Sequence, residues 1–159
     1  MNDSLKELAE IIKNSVFIPE LKAGTKEYVL IEITDTLVQE NRIAQESRNA
    51  VLAALVEREG KMSTGMQYGI AIPHAKTDLV NGLVTFIALS QKGVDFCSLD
   101  GEVSTIFVGT LSPYSEANSH IKFLAGISKQ LSSCNVREKI LTAKNIDDLI
   151  EIICGNSID

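Results

Sequence analysis

The sequence predicts an α/β fold in which a mixed β-sheet is flanked by helices on both faces. Patterns typical of helices and of strands are intermixed along the chain, as they are in sheets that helices cover. The stretch Leu83–Leu89 is almost entirely apolar, as expected of a strand buried on both faces. Asp100-Gly101 stands between two β-rich stretches and indicates an antiparallel hairpin. The sheet is therefore predicted to be mixed and not wholly parallel.

In the first part of the chain, apolar spacing predicts three helices and one strand. In chain order these are a helix around Leu5–Ile12, a strand at Val16–Ile18, and helices at Thr25–Gln39 and Ala44–Glu59. Ser4 is the expected N-cap of the first helix, and Gly60 is the expected stop of the third. The stretch Val29–Ile33 also fits a strand, and the length of the pattern favours a helix. The inward face of the third helix is expected to hold Val51, Leu52, Leu55 and Val56.

The rest of the chain predicts four further strands and three helices. They are strands at Ile70–Ile72, Leu83–Leu89, Gly93–Leu99 and Val103–Leu111, and helices from about Asn118, at Val136–Thr142 and at Ile146–Ile153. Asn145 is a candidate cap of the last helix. The helix after Asn118 is expected to bury Ile121, Leu124, Ala125, Ile127 and Leu131. Cys97 is expected in the core or at a sheet edge, and Met62 and Met66 are expected to pack under the loop at Ser63–Gly69.

Composition narrows the class of protein. The 159 residues, 45% hydrophobic and 23% charged, predict one globular domain over residues 1–159. A net charge of −6 argues against binding to nucleic acid or anionic lipid. No signal peptide and no run of the roughly 20 apolar residues of a membrane helix is present, so a cytoplasmic protein without membrane insertion is expected. Three separated cysteines indicate neither a disulfide framework nor a metal site.

His74 is the leading candidate for chemistry. It follows Pro73, which fixes its own φ and forces Ile72 into an extended conformation, so the chain is stiff where the imidazole leaves the strand. A phosphoryl acceptor needs a neutral ring with one nitrogen free and the other held by a fixed acceptor such as a backbone carbonyl. A structural histidine at a strand end would look the same, and spacing alone leaves both interpretations open.

Two other residues have a possible functional interpretation beside a structural one. His120 lies in the first turn of a predicted helix, where free N–H groups favour an anion, although a partly exposed polar residue is the simpler interpretation. Arg58 closes the third helix within Glu57-Arg58-Glu59. Its planar guanidinium could bind two phosphoryl oxygens at once, although such triplets are usually solvated helix ends.

The loop after the third helix offers hydroxyl groups next to these candidates. Ser63, Thr64 and Gly65 would supply two hydroxyl donors and a flexible backbone. Neither GxxxxGK[ST] nor GxGxxG occurs in the sequence, so a nucleotide-binding loop is not supported. The acidic residues of the later hairpin are interpreted as turn and solvent-facing charges without metal-binding spacing: Asp95, Asp100 and Glu102.

Together these segments resemble one known family. The resemblance is carried by Leu55–Glu59, Ser63–Gly65, Gly69–Asp78, Val94–Phe96, Ser98–Gly101 and Ser119–Leu124. The family is the fructose/mannitol type of IIA domain of the bacterial phosphoenolpyruvate-dependent sugar phosphotransferase system (PTS). The resemblance extends from Leu21 to about Leu131, and Gly69-Ile70-Ala71-Ile72-Pro73-His74 is its most specific part.

The resemblance implies a fold, a reaction and two partners. It implies a mixed sheet flanked by helices, and no cofactor. His74 would be the nucleophile, accepting a phosphoryl group on Nε2 from the histidine-phosphorylated carrier protein HPr. The acceptor would be a cysteine of the IIB domain of a sugar permease. Arg58 and His120 would line the phosphoryl pocket, with Thr64 close by.

One departure from the family pattern stands in the loop before His74. The family loop usually runs Thr-Gly-x-Gly-x-Gly, whereas this chain has Gln67 and Tyr68 before Gly69. The change would either alter the approach of the backbone to the phosphoryl group or give the loop a different partner surface. Two other functions remain open: a regulatory IIA domain of the nitrogen-related type, and a non-catalytic binding domain with two structural histidines. The sequence does not identify the sugar or the oligomeric state.

Overall fold

A computed structural model describes residues 2–155 as a five-stranded mixed sheet between two layers of helices. The strands are β1 (Val16–Ile18), β2 (Ile70–Ala71), β3 (His74–Lys76), β4 (Val84–Val94) and β5 (Ser104–Ser112). The helices are α1 (Asp3–Lys13), α2 (Lys26–Gln39), α3 (Arg48–Lys61), α4 (Ala117–Leu131), α5 (Cys134–Ile140) and α6 (Ile146–Cys154). Short 3₁₀ turns at Gln45–Ser47 and Tyr114–Glu116 lead into α3 and α4.

The pairing of the strands confirms the predicted mixed sheet. β1 pairs parallel with β4, and β4 pairs antiparallel with β5. β2 and β3 both pair parallel with the other edge of β5, where Ile70 lies opposite Ile106 and His74 opposite Thr110. The edge is interrupted between β2 and β3, where Pro73 has no N–H to donate. This interruption places His74 at the start of a short edge strand.

Each face of the sheet has its own apolar layer. Phe86 and Ala88 of β4 pack with α2 and α3 on one face. Ile87 and Leu89 pack with α1, α4, α5 and α6 on the other. All four side chains are fully buried, which confirms the prediction of a strand covered on both faces. None of the helices described between residues 2 and 155 is long and apolar enough to cross a membrane.

The observed hairpin joins β4 to β5. The strand expected at Gly93–Leu99 is wrong beyond Val94, because β4 ends there. Residues 95–103 form the connection, and Asp100-Gly101 lies inside it. Cys97, in this connection, has a left-handed backbone with a φ of 54°, which the expected extended strand could not contain. Cys97, expected in the core or at an edge, is exposed in this connection.

Two predicted helix boundaries are wrong. Asn2, and not Ser4, caps α1, because its Oδ1 accepts a hydrogen bond from the N–H of Leu5 at 2.9 Å. α3 starts at Arg48 and continues through Gly60 to Lys61, so the glycine lies inside the last turn. In contrast, the structure confirms Asn145 as the cap of α6, where its side chain accepts from the N–H of Asp148.

Several side chains expected to be buried face solvent. The buried face of α4 is formed by Phe123, Ile127 and Leu131, which are spaced by four residues and lie above one another on a helix. Ile121 and Ala125 therefore point outward. Val56 of α3 is also largely exposed. Met62 and Met66, expected under the loop, are 71% and 40% exposed.

Gly109 allows the edge containing His74 to approach β5. A Cβ atom at this position would lie 2.0 Å from the carbonyl oxygen of Pro73 and 2.3 Å from Cζ of Phe86. We expect Gly109→Ala to lower the free energy of unfolding by about 3 kcal/mol because neither neighbour can move freely. Urea unfolding followed by circular dichroism measures the change.

Gly82→Ala is the matched control, since a Cβ there meets nothing within 4 Å. Its free energy of unfolding should stay within about 0.5 kcal/mol of the unmodified protein. Equal unfolding midpoints for the two variants would contradict the tight approach at Gly109.

Candidate functional site

A hydrogen bond to the nearby backbone holds the His74 ring in one tautomer. Its Nδ1 lies 2.7 Å from the carbonyl oxygen of Ile72. A carbonyl oxygen only accepts hydrogen bonds, so Nδ1 carries the hydrogen. In the neutral ring, Nε2 then holds an unshared electron pair. His74 is half-buried, and the ring is thus a fixed nucleophile with one free nitrogen.

His120 lies beside His74, as the family resemblance implied. It is in the first turn of α4, and the centroids of the two rings are 5.2 Å apart with the planes tilted by 38°. Its Nδ1 hydrogen-bonds to Oγ1 of Thr110. Thr110 lies opposite His74 in the β3–β5 register, so one strand residue fixes the second ring against the first.

Arg58 shares a cavity with His74. The cavity has a volume of about 310 Å³ and is lined by Ala54, Glu57, Arg58, Lys61, His74, Ala75, Lys76 and Tyr114. Arg58 lies in the last turn of α3, and its Nη1 donates to the carbonyl oxygen of Met62 at 2.8 Å. This bond holds the guanidinium at the helix end. The structure therefore brings together the three residues for which the sequence predicted chemistry.

The electrostatic surroundings favour uncharged imidazoles in a positive pocket. Burial lowers the pKa of His74, and the charges of Arg58 and Lys76 lower it further, while the Ile72 carbonyl and Glu59 act in the opposite direction. Burial also lowers the pKa of His120, helped by His74 and Lys76. A neutral ring is nucleophilic, and nearby cations attract an anion. The site suits a reaction in which an imidazole accepts an anionic group.

The loop Ser63–Gly65 uses its hydroxyl groups internally. Oγ1 of Thr64 donates to Glu59 Oε2 at 2.6 Å, and Oγ of Ser63 donates to the carbonyl oxygen of Phe96 at 2.5 Å. The N–H of Gly65 donates to Oγ of Ser63 at 3.0 Å. Thr64 is buried, with 4% of its surface exposed. Both hydroxyl hydrogens thus stabilise the loop and are not directed to the His74 cavity.

Sequence reasoning missed two charged residues of this region. Glu59 was interpreted as part of a solvated helix end, but it is 7% exposed, and its Oε1 lies 2.7 Å from Nζ of Lys26. No local pattern marks that pairing, because the two residues belong to different helices. Lys76 is easier to find: once residues 74–76 are assigned to a strand, the two-residue repeat places it on the same face as His74.

Tyr68 occupies a conformation that a glycine would adopt easily. Its φ is 61°, followed by 74° at Gly69. The N–H of Tyr68 donates to Oδ2 of Asp100 at 3.2 Å, and the guanidinium of Arg137 lies 4.5 Å from the ring centroid, within the range of a cation–π contact. These contacts oppose the cost of a left-handed backbone, and they account for a tyrosine at this point of the loop.

The same loop covers an apolar cavity that is distinct from the cavity of His74. This cavity has a volume of about 400 Å³, lies between the loop and α4, and includes Met66, Tyr68, Ile72, Leu99, Leu124 and Leu131 in its lining. The Ile72 carbonyl that holds His74 thus belongs to a residue whose side chain lines a different cavity.

Comparison with known proteins identifies the family. The family model described as "Phosphoenolpyruvate-dependent sugar phosphotransferase system, EIIA 2" matches residues 8–155. The chain belongs to this EIIA 2 family. Membership identifies it as a IIA component of the phosphotransferase system, a class of phosphoryl carrier, and agrees with the resemblance seen in the sequence.

The names of relatives of this EIIA 2 chain indicate two kinds of role. The "PTS system fructose-specific EIIA component" of Haloferax volcanii is 35% identical over 85% of this chain and 84% of its own. The "PTS system fructose-specific EIIABC component" of Bacillus subtilis is 30% identical over 92% of this chain and 23% of its own longer chain. A "Nitrogen regulatory protein" of Bradyrhizobium diazoefficiens is 23% identical over 92% of this chain and 94% of its own.

Solved structures confirm the fold of the EIIA 2 chain. The nitrogen regulatory protein IIA-Ntr from Neisseria meningitidis superposes with a TM-score of 0.79 at 23% identity, covering 92% of this chain and 99% of its own. The enzyme IIAMTL of Escherichia coli, solved in complex with phosphorylated enzyme IIBMTL, has a TM-score of 0.71 at 22% identity, covering 88% and 94%. At these identities the comparison establishes the shared α/β sandwich.

The lowered pKa values give a prediction for titration. We expect the NMR titration midpoints of His74 and His120 to lie below about 6.5, the value of an unperturbed histidine. The His74→Gln variant should raise the midpoint of His120, because a neighbouring charge is removed. A midpoint for either ring at or above that of an exposed histidine would contradict the buried, cation-lined site.

The same shifts set the sign of the pH dependence of stability. The folded protein binds these protons less readily than the unfolded chain, so the unfolding free energy should fall as pH drops below about 6.5. The dependence should be weaker in His74→Gln, which has lost one of the two groups. Urea unfolding at pH 5 and at pH 8 measures it.

Proposed function

We propose that His74 accepts a phosphoryl group from phosphorylated HPr and passes it to a cysteine of a IIB domain during sugar uptake. The observation that carries the proposal is the hydrogen bond from Nδ1 to the Ile72 carbonyl, which leaves Nε2 unprotonated at a cavity shared with Arg58. Membership of the EIIA 2 family supports the same reaction. The exchange requires no cofactor and takes place in the cytoplasm in this proposal.

In the first transfer, the Nε2 electron pair of His74 attacks phosphorus. A P–N bond forms to His74 as the P–N bond of the donor phosphohistidine breaks, and the bonding electrons return to the donor ring. Catalysis here is positioning and charge stabilisation more than covalent help. The Ile72 carbonyl fixes the angle of the ring and stabilises the N–H of the phosphorylated imidazole, which carries more positive charge than the free ring.

In the second transfer, a thiolate of the acceptor attacks the same phosphorus. An S–P bond forms, the bond to Nε2 breaks, and His74 regains its electron pair without needing a proton. Arg58 and His120 would stabilise the charge on the phosphoryl oxygens in both steps. Lys76, on the same face of the edge strand, adds its positive charge to that of Arg58 and attracts phosphorylated partners.

Exposed apolar side chains around the site support transient docking of two partner proteins. Tyr114 lines the His74 cavity, Ile121 follows His120 on α4, and Met62 provides the carbonyl that holds Arg58. Their exposed fractions are 66%, 62% and 71%. Large exposed apolar groups beside charged ones are typical of protein interfaces.

A regulatory function is the second candidate. The 35% identity with a fructose-specific EIIA component, against 23% for a nitrogen regulatory protein, favours transport. The nitrogen regulatory protein aligns over 92% of this chain and 94% of its own, which supports regulation as an alternative. The chemistry at His74 is the same in both, and only the acceptor differs.

Phosphorylation with phosphoenolpyruvate, enzyme I and HPr tests the chemistry. The protein should gain one acid-labile, base-stable phosphoryl group, and His74→Gln should gain none. Arg58→Ala and His120→Ala should slow transfer by about 100-fold, since each removes a group that stabilises phosphoryl charge. Mass spectrometry with radiolabel from phosphoenolpyruvate measures both the site and the rate.

The Cys97→Ser/Cys134→Ser double variant is the control, because both thiols are exposed and lie outside the proposed site. It should be phosphorylated at the unmodified rate. Phosphorylation that persists in His74→Gln would refute His74 as the acceptor, and no phosphorylation of the unmodified protein would favour a binding domain.

A second experiment separates transport from regulation. The phosphorylated protein is mixed with purified IIB domains of the fructose and mannitol types, and label on their active cysteines is followed. Label on a IIB cysteine within seconds, and its loss when that cysteine is replaced by serine, is the expected result. Stable phosphoprotein in the presence of every IIB domain tested would favour the regulatory function.

A further inference from the structure

A buried ion pair lies behind the loop that precedes His74. Nζ of Lys26, at the start of α2, is 2.7 Å from Oε1 of Glu59, at the end of α3. The exposed fractions of the two side chains are 18% and 5%. Burying two charges costs about as much as their attraction returns. Stability alone is therefore a weak reason for this pair, and its contacts indicate a more specific role.

Glu59 holds Thr64 through two hydrogen bonds. Its Oε1 accepts from the backbone N–H of Thr64 at 2.8 Å, and its Oε2 accepts from Oγ1 at 2.6 Å. Lys26 also donates to the carbonyl oxygen of Phe96 at 3.3 Å and lies 4.8 Å from the centroid of that ring. The carboxylate and its counter-ion thus leave Thr64 a single position and rotamer.

From Thr64, two further hydrogen bonds lead to the reactive imidazole. The carbonyl oxygen of Thr64 accepts from the N–H of Ile72 at 3.0 Å. The carbonyl oxygen of Ile72 accepts from Nδ1 of His74 at 2.7 Å. An isolated bridge between Gly65 and Ala71 runs alongside. The position of the Ile72 carbonyl is therefore set on one side by Thr64, and through Thr64 by Glu59.

We infer that Glu59, with Lys26 as its counter-ion, is a positioning residue for phosphoryl transfer. Glu59 holds Thr64, Thr64 holds Ile72, and the carbonyl of Ile72 selects the Nδ1–H tautomer of His74. The inference deepens the proposed function and rests on it for the transfer step, but the effect on the tautomer does not depend on any partner. The hydrogen bonds of Glu59 go to Thr64 and not to His74, so Glu59 acts on the imidazole through Thr64 and Ile72.

The charge of Lys26 is part of the same arrangement. A lone carboxylate near the cavity would repel a phosphoryl group, which carries negative charge, whereas a paired one presents almost no net charge. Removing one partner leaves the other buried and uncompensated, which is more disruptive than removing both. The two substitutions should therefore interact strongly when they are combined.

Glu59→Gln tests the inference. Glutamine keeps the shape and one carbonyl acceptor but loses the charge and the second acceptor. We expect the ¹⁵N shifts of the His74 ring to change from a nearly pure Nδ1–H tautomer to a mixture containing Nε2–H. The phosphorylation rate at saturating HPr should fall by about tenfold, with an unchanged KM for HPr, since geometry is lost and not contact with the donor.

Two further variants strengthen the test. Thr64→Val removes the hydroxyl contact but keeps the backbone one, and it should produce a smaller tautomer shift in the same direction. It also gives an answer if Glu59→Gln does not fold. The double variant Lys26→Gln/Glu59→Gln should recover part of the rate lost in Glu59→Gln, because no charge remains buried without a partner.

Asp35→Asn is the matched control. Asp35 and Arg48 form the other ion pair between α2 and α3, also at 2.7 Å, with side chains 46% and 29% exposed. Its loss should leave the His74 tautomer and the transfer rate unchanged. Equal losses in Asp35→Asn and Glu59→Gln would overturn the inference in favour of a general effect of helix packing.

The inference and the proposed function fail in different ways. If Glu59→Gln and Thr64→Val fold and keep the pure Nδ1–H tautomer, the positioning role is refuted even when His74 is phosphorylated normally. If the tautomer shifts as expected but His74 is not phosphorylated in the unmodified protein, the positioning role holds and the carrier function is refuted.

Discussion

The hydrogen bond between Nδ1 of His74 and the carbonyl oxygen of Ile72 is the constraint on which the site depends. The rest of the structure fixes the two ends of this bond. Pro73 makes the connection between donor and acceptor short and stiff, while pairing with β5 holds the strand on which the imidazole lies. A freely rotating histidine would spend part of its time with the wrong nitrogen exposed. Here the backbone itself makes that choice before any partner arrives.

The fold was largely predictable because its strongest signals are local. The nearly unbroken apolar run in β4 specifies a buried strand, and the length of the apolar repeat in α2 favours a covering helix over a strand. The strand expected to continue to Leu99 ends at Val94; Cys97 beyond it has a left-handed backbone, and no sequence pattern requires that of a cysteine. The predicted buried face of α4 is rotated relative to the observed one, because Ile121 fits a helical repeat as well as Phe123 does. Only packing against the sheet distinguishes the two residues.

The candidate site was predictable where its chemistry is carried by rare residue types. The chain has only two histidines, so His120 was the one candidate for a second histidine beside His74. Glu59 is different: its sequence neighbours suggest a solvated helix end, and its partner Lys26 is 33 residues away in another helix. Long-range pairing of common charged residues leaves no local trace. Family resemblance could supply the roles of His74 and Arg58, but not that contact.

The left-handed backbone at Tyr68 has a consequence for how such a loop can diversify. Because glycine adopts this backbone without strain, a glycine here would keep the path of the loop, whereas another bulky side chain would need contacts like those of Tyr68 to offset the strain. The exposed ring of Tyr68 lines the apolar cavity between the loop and α4 and not the cavity of His74, so a change of this side chain alters that surface while His74 and Arg58 keep their places. Under the proposed function, the surface offered to partner proteins would thus change at one ring while the phosphoryl-accepting site stays the same.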